Sequence, residues 1–509
     1  MYTVRAGARE RRDSGLTDAL ILAPTRASNN NNVEKQREKK DKPPPPQHTR
    51  QPLNNEASGL TNRTPLAGPL SGLSSTWLPS SPSSQLFLGG TVLCCCFCAL
   101  LARPWLRRLL FVHPEGGSSS KTILSPRTSA ALRGMSQAER DALPYPPDGA
   151  LPGARDVATP YGSVRVYGWG PEDGERVLLI AGISTPTISL GDLAWEMSER
   201  GYRVMLFDYF GRGYSDAPAD VDYGARLYVT QILLVLASSQ LNWDRFHLVG
   251  YSLGGCLAVA FTRYLPRRVV SLTLIAGAGL IRPHHVDWKG WLLYQLGLLP
   301  EALVKWIVRR RIRPNTSSQT DVMAAESKSS SAAAAAAATG GDANGGHGFD
   351  SAPISRRRPG VSVADVVAHQ IDAHAGFVHA FASTMRHAPI YAPQGDWVVL
   401  RELLAEARKR GRRQRQATTM MPTTGRSQQE KTETKTKTDD GEEGGLVKGK
   451  VLLVLGAEDP VIVPEETIED AVAVLGRDGV EYAVLAAGHE LPITQSCEVA
   501  DVMQAFFRG

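Results

Sequence analysis

Short apolar runs recur through the middle and again at the end of this 509-residue chain, with helical patterns between them. Val157–Gly168, broken by the turn residues Pro160-Tyr161-Gly162, reads as a hairpin opening a sheet. Arg176–Ala181, Tyr202–Phe207, Phe246–Val249 and Val270–Ala276 follow as buried strands. Leu190–Arg200 and Leu227–Gln240 lie between them as helices. After a long interruption, Lys450–Gly456 and Tyr482–Leu485 are further strands, with helices expected at Pro464–Leu475 and Glu498–Arg508.

What interrupts this pattern sets the domain plan. Residues 1–85 carry Asn29–Asn32, Pro43–Pro46 and many Ser and Pro, and are expected to be a disordered tail. Leu86–Ala102 is an uncharged apolar run near the lower length limit for a membrane-spanning helix. Residues 103–153 read as a Gly-, Ser- and Pro-rich linker, and 154–285 as the first part of the core. Trp288–Arg311 and Val361–Arg386 are helical patterns within 286–400, interrupted by a low-complexity insert at 315–360. A charged insert, 401–446, opens with the basic cluster Lys409–Arg415, and 447–509 completes the core. Both inserts are expected to be disordered.

Composition narrows the partners. The net charge is +6, and most of the excess lies in the first 63 residues, so it belongs to a tail and not to a folded face. That argues against nucleic acid. Of six cysteines, Cys94, Cys95, Cys96 and Cys98 share the apolar run, while Cys256 and Cys497 are isolated. No disulfide framework or zinc pair follows, and neither metal nor cofactor is expected.

The candidate chemistry starts where Phe246–Val249 runs into Gly250-Tyr251-Ser252-Leu253-Gly254 and then into the small and apolar residues Gly255–Phe261. A strand turning directly into a helix leaves one residue on a strained turn. Gly250 and Gly254, lacking a Cβ, let strand and helix approach closely there. This G-x-S-x-G elbow presents the Ser252 hydroxyl at the positive end of a helix. A serine hydroxyl becomes a nucleophile only when a base takes its proton and a third group orients that base. Asp459 follows the strand Lys450–Gly456, with Pro460 turning the chain, and His489 follows Tyr482–Leu485. Both stand at carboxyl ends of strands, where open α/β sheets gather their sites. Singly, such an Asp is a turn former and such a His a loop residue. In the order Ser, Asp, His they make a triad.

On these residues, segments 160–285 and 447–508 resemble the α/β-hydrolase superfamily in its serine-nucleophile branch. The G-x-x-D from Gly456 to Asp459, the Gly488-His489 pair and the turn Asp208–Ser215 (D-x-x-G-x-G-x-S) add to the likeness. The resemblance implies a mostly parallel central sheet with helices on both faces and a helical cap over the site. It implies Ser252 as nucleophile, His489 as general base and acid, Asp459 as the orienting carboxylate and Asp208 as a structural acid. Amides of Ile183 and Leu253 would form the oxyanion hole. Family members usually carry His-Gly where this chain has Ala181-Gly182. The donors are main-chain groups, so the departure touches the loop's conformation and not their presence.

The function expected is a membrane-anchored hydrolase of carboxylic esters. The apolar cap and the nearby anchor favour lipid-like acyl esters, as in monoacylglycerol lipases. Small soluble esters or amides come second, and a non-catalytic binding protein is the rival from another class. Leu66–Gln85 carries no charge while Arg103, Arg107 and Arg108 follow the 86–102 run, so the catalytic domain is expected in the cytosol. Sequons at Asn62 and Asn315 flank the run and report on that orientation.

Overall fold

The computed structural model describes residues 121–282, 285, 301–313, 347–391, 394–419 and 444–509. The tail 1–85 and the apolar run 86–102 lie outside the described residues, as do most of the two inserts. Among the described residues no helix is long and apolar enough to cross a membrane.

The sheet opens with the hairpin β1 (Arg155–Thr159) and β2 (Gly162–Trp169), paired antiparallel. Then come β3 (Arg176–Ile180), β4 (Arg203–Phe207), β5 (Phe246–Tyr251), β6 (Val269–Ile275), β7 (Val451–Gly456) and β8 (Val480–Leu485). The order across the eight-stranded sheet is β8-β7-β6-β5-β3-β4-β2-β1. β2 and β4 run antiparallel, and every pair from β4 to β8 is parallel. β5 and β7 are buried at every position, which is why both read as continuous apolar runs and not as alternating ones.

Helices cover the sheet in two groups. α1 (Gly191–Glu199) packs with the closing helix α9 (Ser496–Arg508). α2 (Ala225–Ala237), α3 (Leu253–Tyr264), α7 (Gln394–Thr419) and α8 (Pro464–Leu475) pack side by side. The cap supplies α4 (Glu301–Ile312), α5 (Val363–Ala373) and α6 (Phe377–His387). This is an α/β-hydrolase fold.

Three expected boundaries change. The linker 103–153 is structured from 121 onward, where Leu132, Tyr145 and Leu151 are buried and Ser136 with Glu139 forms a capping box. These apolar anchors act with polar ones: Ser125 N donates to Asp216 Oδ1 at 2.7 Å, and Tyr145 Oη donates to Asp208 Oδ2 at 3.0 Å. The insert 315–360 is packed from 347 onward. Phe349, Ala352 and Ile354 are buried, and Asp192 of α1 accepts hydrogen bonds from Ser355 Oγ (2.7 Å) and Arg356 N (2.6 Å). The insert 401–446 is helical through Thr419, because α7 begins ahead of it at Gln394. Trp397, Leu400, Leu404 and Ala407 form a buried stripe along α7, while Arg401, Lys409, Arg412, Arg413 and Arg415 are exposed and Arg408 and Arg410 donate to Gly449 O and Gly445 O. α7 therefore belongs to the sheet's helical layer, and 400 is not a cap boundary.

Candidate active site

The elbow is built by exclusion. Ser252 has φ 52° and ψ −119°, a conformation that costs a non-glycine residue about 1–3 kcal/mol and persists only when its surroundings dictate it. A Cβ on Gly250 would stand 2.3 Å from Gly254 O, and one on Gly254 would stand 2.3 Å from Ile180 O. The neighbouring strand β6 and the segment after it fix the turn. Ser252 N donates to Ile275 O (3.0 Å), and Ser252 O accepts from Ala278 N (2.9 Å). The helix α3 starts at the next residue, so its positive end faces the half-buried Ser252 hydroxyl.

Three loops at the carboxyl edge of the sheet bring the remaining groups together. His489 Nε2 is 3.0 Å from Ser252 Oγ, and its Nδ1 is 2.8 Å from Asp459 Oδ2. Asp459 is held in turn, its Oδ1 accepting from Val461 N (2.8 Å) and Ile462 N (2.9 Å). Tyr251 Oη donates to His489 O at 2.8 Å, and the Phe349 ring lies 5.8 Å from the imidazole. The neighbouring acid Glu458 is exposed and stands outside this line. Cys256 is buried behind the elbow, its thiol pushed well above the usual range by burial.

The loop after β3 passes beside the serine. A Cβ on Gly182 would lie 3.7 Å from Ser252 Oγ, so this loop runs close beside the hydroxyl just ahead of Ile183. Among the described residues, no hydrogen-bond acceptor is recorded for the amides of Ile183 and Leu253. The turn after β4 supports this loop. Burial pushes the Asp208 carboxyl up to about 7, although it accepts from Thr187 N, Tyr214 N and Tyr145 Oη. Arg212, in the same turn, is fully buried. Its Nε donates to Ile183 O (3.2 Å), and its other nitrogens donate to Phe210 O, Tyr228 Oη and Thr384 Oγ1. No carboxylate pairs with it among the described residues.

Sequence reasoning did not single out Arg212, Gln370 or Phe349. Gln370 had a legible signal. It falls on the apolar face of α5 with Val363, Val366, Val367 and Ile371, and a buried amide there needs partners. Among the described residues, no group of three or more His, Cys, Asp or Glu is placed to hold a metal ion.

Comparison with known proteins agrees with the fold. A family model described as the α/β hydrolase fold matches residues 191–495. The chain belongs to the α/β hydrolase fold family. A 2-hydroxy-6-oxononadienedioate/2-hydroxy-6-oxononatrienedioate hydrolase of Klebsiella pneumoniae is 44% identical over 79 residues, covering 16% of this chain and 27% of that protein. A serine hydrolase-like protein of Danio rerio is 28% identical over 132 residues, 26% of this chain and 40% of the relative. An uncharacterized carboxylesterase, nap, of Bacillus subtilis is 28% identical over 158 residues, 30% of this chain and 50% of the relative. The chain thus spans half or less of the length of each of these relatives.

Proposed function

We propose that this protein is a cofactor-independent serine hydrolase of carboxylic esters, working through an acyl-enzyme on Ser252. The observation that carries the reading is the hydrogen-bond line from Asp459 through His489 to a serine held at positive φ. His489 Nε2 takes the Ser252 proton as Oγ attacks the ester carbonyl. The carbonyl π electrons move to oxygen, and the oxyanion is met by the amides of Leu253 and Ile183. Loss of one such donor costs about 3 kcal/mol of barrier. Collapse breaks the bond to the alkoxy group, which leaves as the alcohol with the proton from His489. Water then attacks the acyl carbon, gives a proton to His489, and the acid departs as that proton returns to Ser252 Oγ. Asp459 holds the imidazole in the tautomer with Nδ1–H toward its carboxylate.

For substrate, lipid-like acyl esters such as monoacylglycerols are the preferred class. The reading rests on the apolar pattern of the cap and on the apolar run 86–102, read as an anchor that precedes the catalytic domain in the sequence. The site then lies on the cytosolic side, and a glycan on Asn315 would overturn that orientation. A chain-length series of p-nitrophenyl esters tests the acyl preference. The decisive assay for the mechanism is a fluorophosphonate probe. Wild type should label and Ser252→Ala should not. A wild type that stays unlabelled would point to a binding protein.

A further inference from the structure

The loop that follows β3 lacks the family's histidine, yet every peptide around its critical amide is fastened. The Ile183 N–H belongs to the peptide joining Gly182 to Ile183. On one side, the carbonyl of Ala181 accepts from Gly254 N (3.1 Å) and from Tyr209 Oη (3.0 Å). On the other, the carbonyl of Ile183 accepts from the buried Arg212 Nε at 3.2 Å. The next carbonyl, Ser184 O, accepts from Gln370 Nε2 at 2.8 Å, and the same side chain accepts from Gly213 N through Oε1 at 2.9 Å. Asp208 Oδ1 closes the series by accepting from Thr187 N at 3.0 Å. The peptide carrying the Ile183 amide is therefore bracketed by two pinned planes. With Gly182 and Ile183 as the swivels between them, its direction is set by its neighbours.

The source of these pins matters as much as their number. Tyr209 and Arg212 come from the turn after β4, but Gln370 comes from the cap helix α5. Arg212 also reaches the cap, donating to Thr384 Oγ1 of α6 at 3.1 Å. A buried guanidinium without a carboxylate is costly unless its donors are used, and those of Arg212 are spent here on the loop, its own turn, α2 and the cap. We propose that Arg212 and Gln370 are positioning residues for the oxyanion hole, and that seating the cap is what orients the Ile183 amide. Neither side chain needs to touch substrate. Ala181 is tolerated because the carbonyls downstream of it are held from the turn and the cap.

This inference rests on the proposal that Ser252 and the Ile183 amide perform ester hydrolysis, and the test separates the two. The full-length chain is assayed with p-nitrophenyl butyrate, with the fluorophosphonate probe and with an alkyl trifluoromethyl ketone, which forms a tetrahedral adduct on a nucleophilic serine. Gln370→Met removes the donor to Ser184 O, and Gln370→Glu replaces that donor while keeping an acceptor for Gly213 N. Misplacing a reacting group by about an ångström costs on the order of 100-fold. Both variants should therefore lose about 10- to 100-fold in kcat and in ketone affinity, with KM within about threefold. Arg212→Lys, which keeps the charge and loses the fork, should fall in the same direction. Losses confined to KM, or unchanged kcat and ketone affinity in the Gln370 variants, would overturn the positioning role while probe labelling of wild type kept the hydrolase reading. A wild type blind to the probe would overturn both.

Discussion

Each end of β5 carries a serine, a histidine and a carboxylate in line. At the carboxyl end Ser252, His489 and Asp459 are separated by 3.0 and 2.8 Å. At the amino end Ser271 Oγ is 2.7 Å from His247 Nδ1, and His247 Nε2 is 3.4 Å from Glu175 Oε2. A depression of about 420 Å³ opens beside the second set, bordered by Asp173, Glu175, Arg176, Asp244, Arg245 and His247. Five residue steps along the chain, roughly 16 Å, separate His247 from Ser252. What differs is the surrounding structure. Ser271 lies within β6, opposite His247 in the strand register, so their contact is a consequence of pairing. Its hydroxyl is buried, with no elbow and no helix start behind it. The His247 ring is stacked on Phe507 at 3.9 Å and meets Tyr202 edge-on, which makes it a packing element. Glu175 is 73% exposed, whereas the Asp459 side chain is fully buried and held by two amides. Three residues in line are therefore insufficient for a site. The strained turn, the neighbouring amides and the buried acid carry the distinction.

The largest expected effect breaks the symmetry directly. Ser252→Ala should cost roughly 10⁴-fold or more in ester hydrolysis, while Ser271→Ala leaves turnover within about twofold. Asp459→Asn should lose on the order of 10⁴-fold by admitting the wrong imidazole tautomer. Ester turnover by purified variants decides the matter. An active Ser252→Ala protein, or an inactive but folded Ser271→Ala protein, would reverse the roles of the two ends.

The sequence made one end of this comparison visible and hid the other. Ser252, Asp459 and His489 were legible because each follows a short apolar strand, and strand ends are where a parallel sheet presents side chains together. The Ser271–His247 pair depends on register between two strands, which local pattern does not encode. The same limit explains the missed segments. In 347–360, low-complexity residues outnumber Phe349 and Ile354, yet those two reach the core and one stands against His489. In α7 a run of arginines conceals a buried stripe spaced as a helix face. Arg212 looked like a turn residue, and its partners Ile183 and Thr384 are far along the chain.

A second test measures the amino end as packing. Burial lowers the His247 pKa to about 4, against Glu175, which favours the charged form. In the unfolded chain an imidazole titrates near 6.5. Between those values the unfolded chain binds the additional proton, so stability rises with pH through the window and is lost as pH falls from about 6.5 toward 4. The loss from this one group amounts to about 2 kcal/mol between pH 7.5 and pH 5. His369 and His374, also lowered by burial, push the same way. Asp208, raised to about 7, pushes oppositely, because the folded state there holds the additional proton above pH 3.8. Urea unfolding of wild type and His247→Leu at both pH values cancels these shared contributions. The wild type should lose about 2 kcal/mol relative to the variant on acidification. Parallel pH curves would show that His247 titrates normally in the fold.

The smallest effect belongs to the carboxylate that most resembles a triad member on paper. At pH 7 the His247 imidazole is neutral, so Glu175 faces no cation across the 3.4 Å gap. Its side chain is mostly solvated, and exposed charged contacts contribute about 0–1 kcal/mol even when both partners are ionised. Glu175→Gln should therefore shift stability by less than about 0.5 kcal/mol and leave ester turnover unchanged. Asp459→Asn, the matching change at the other end, alters the buried acceptor of the His489 Nδ1–H and should cost turnover on the order of 10⁴-fold. Denaturant midpoints and initial rates for the two variants, measured side by side at pH 7.5, set the comparison on one scale. A tenfold rate loss in Glu175→Gln with an unchanged midpoint would mean that the amino-end line reaches the chemistry, and the contrast drawn from Ser252 and Ser271 would fail.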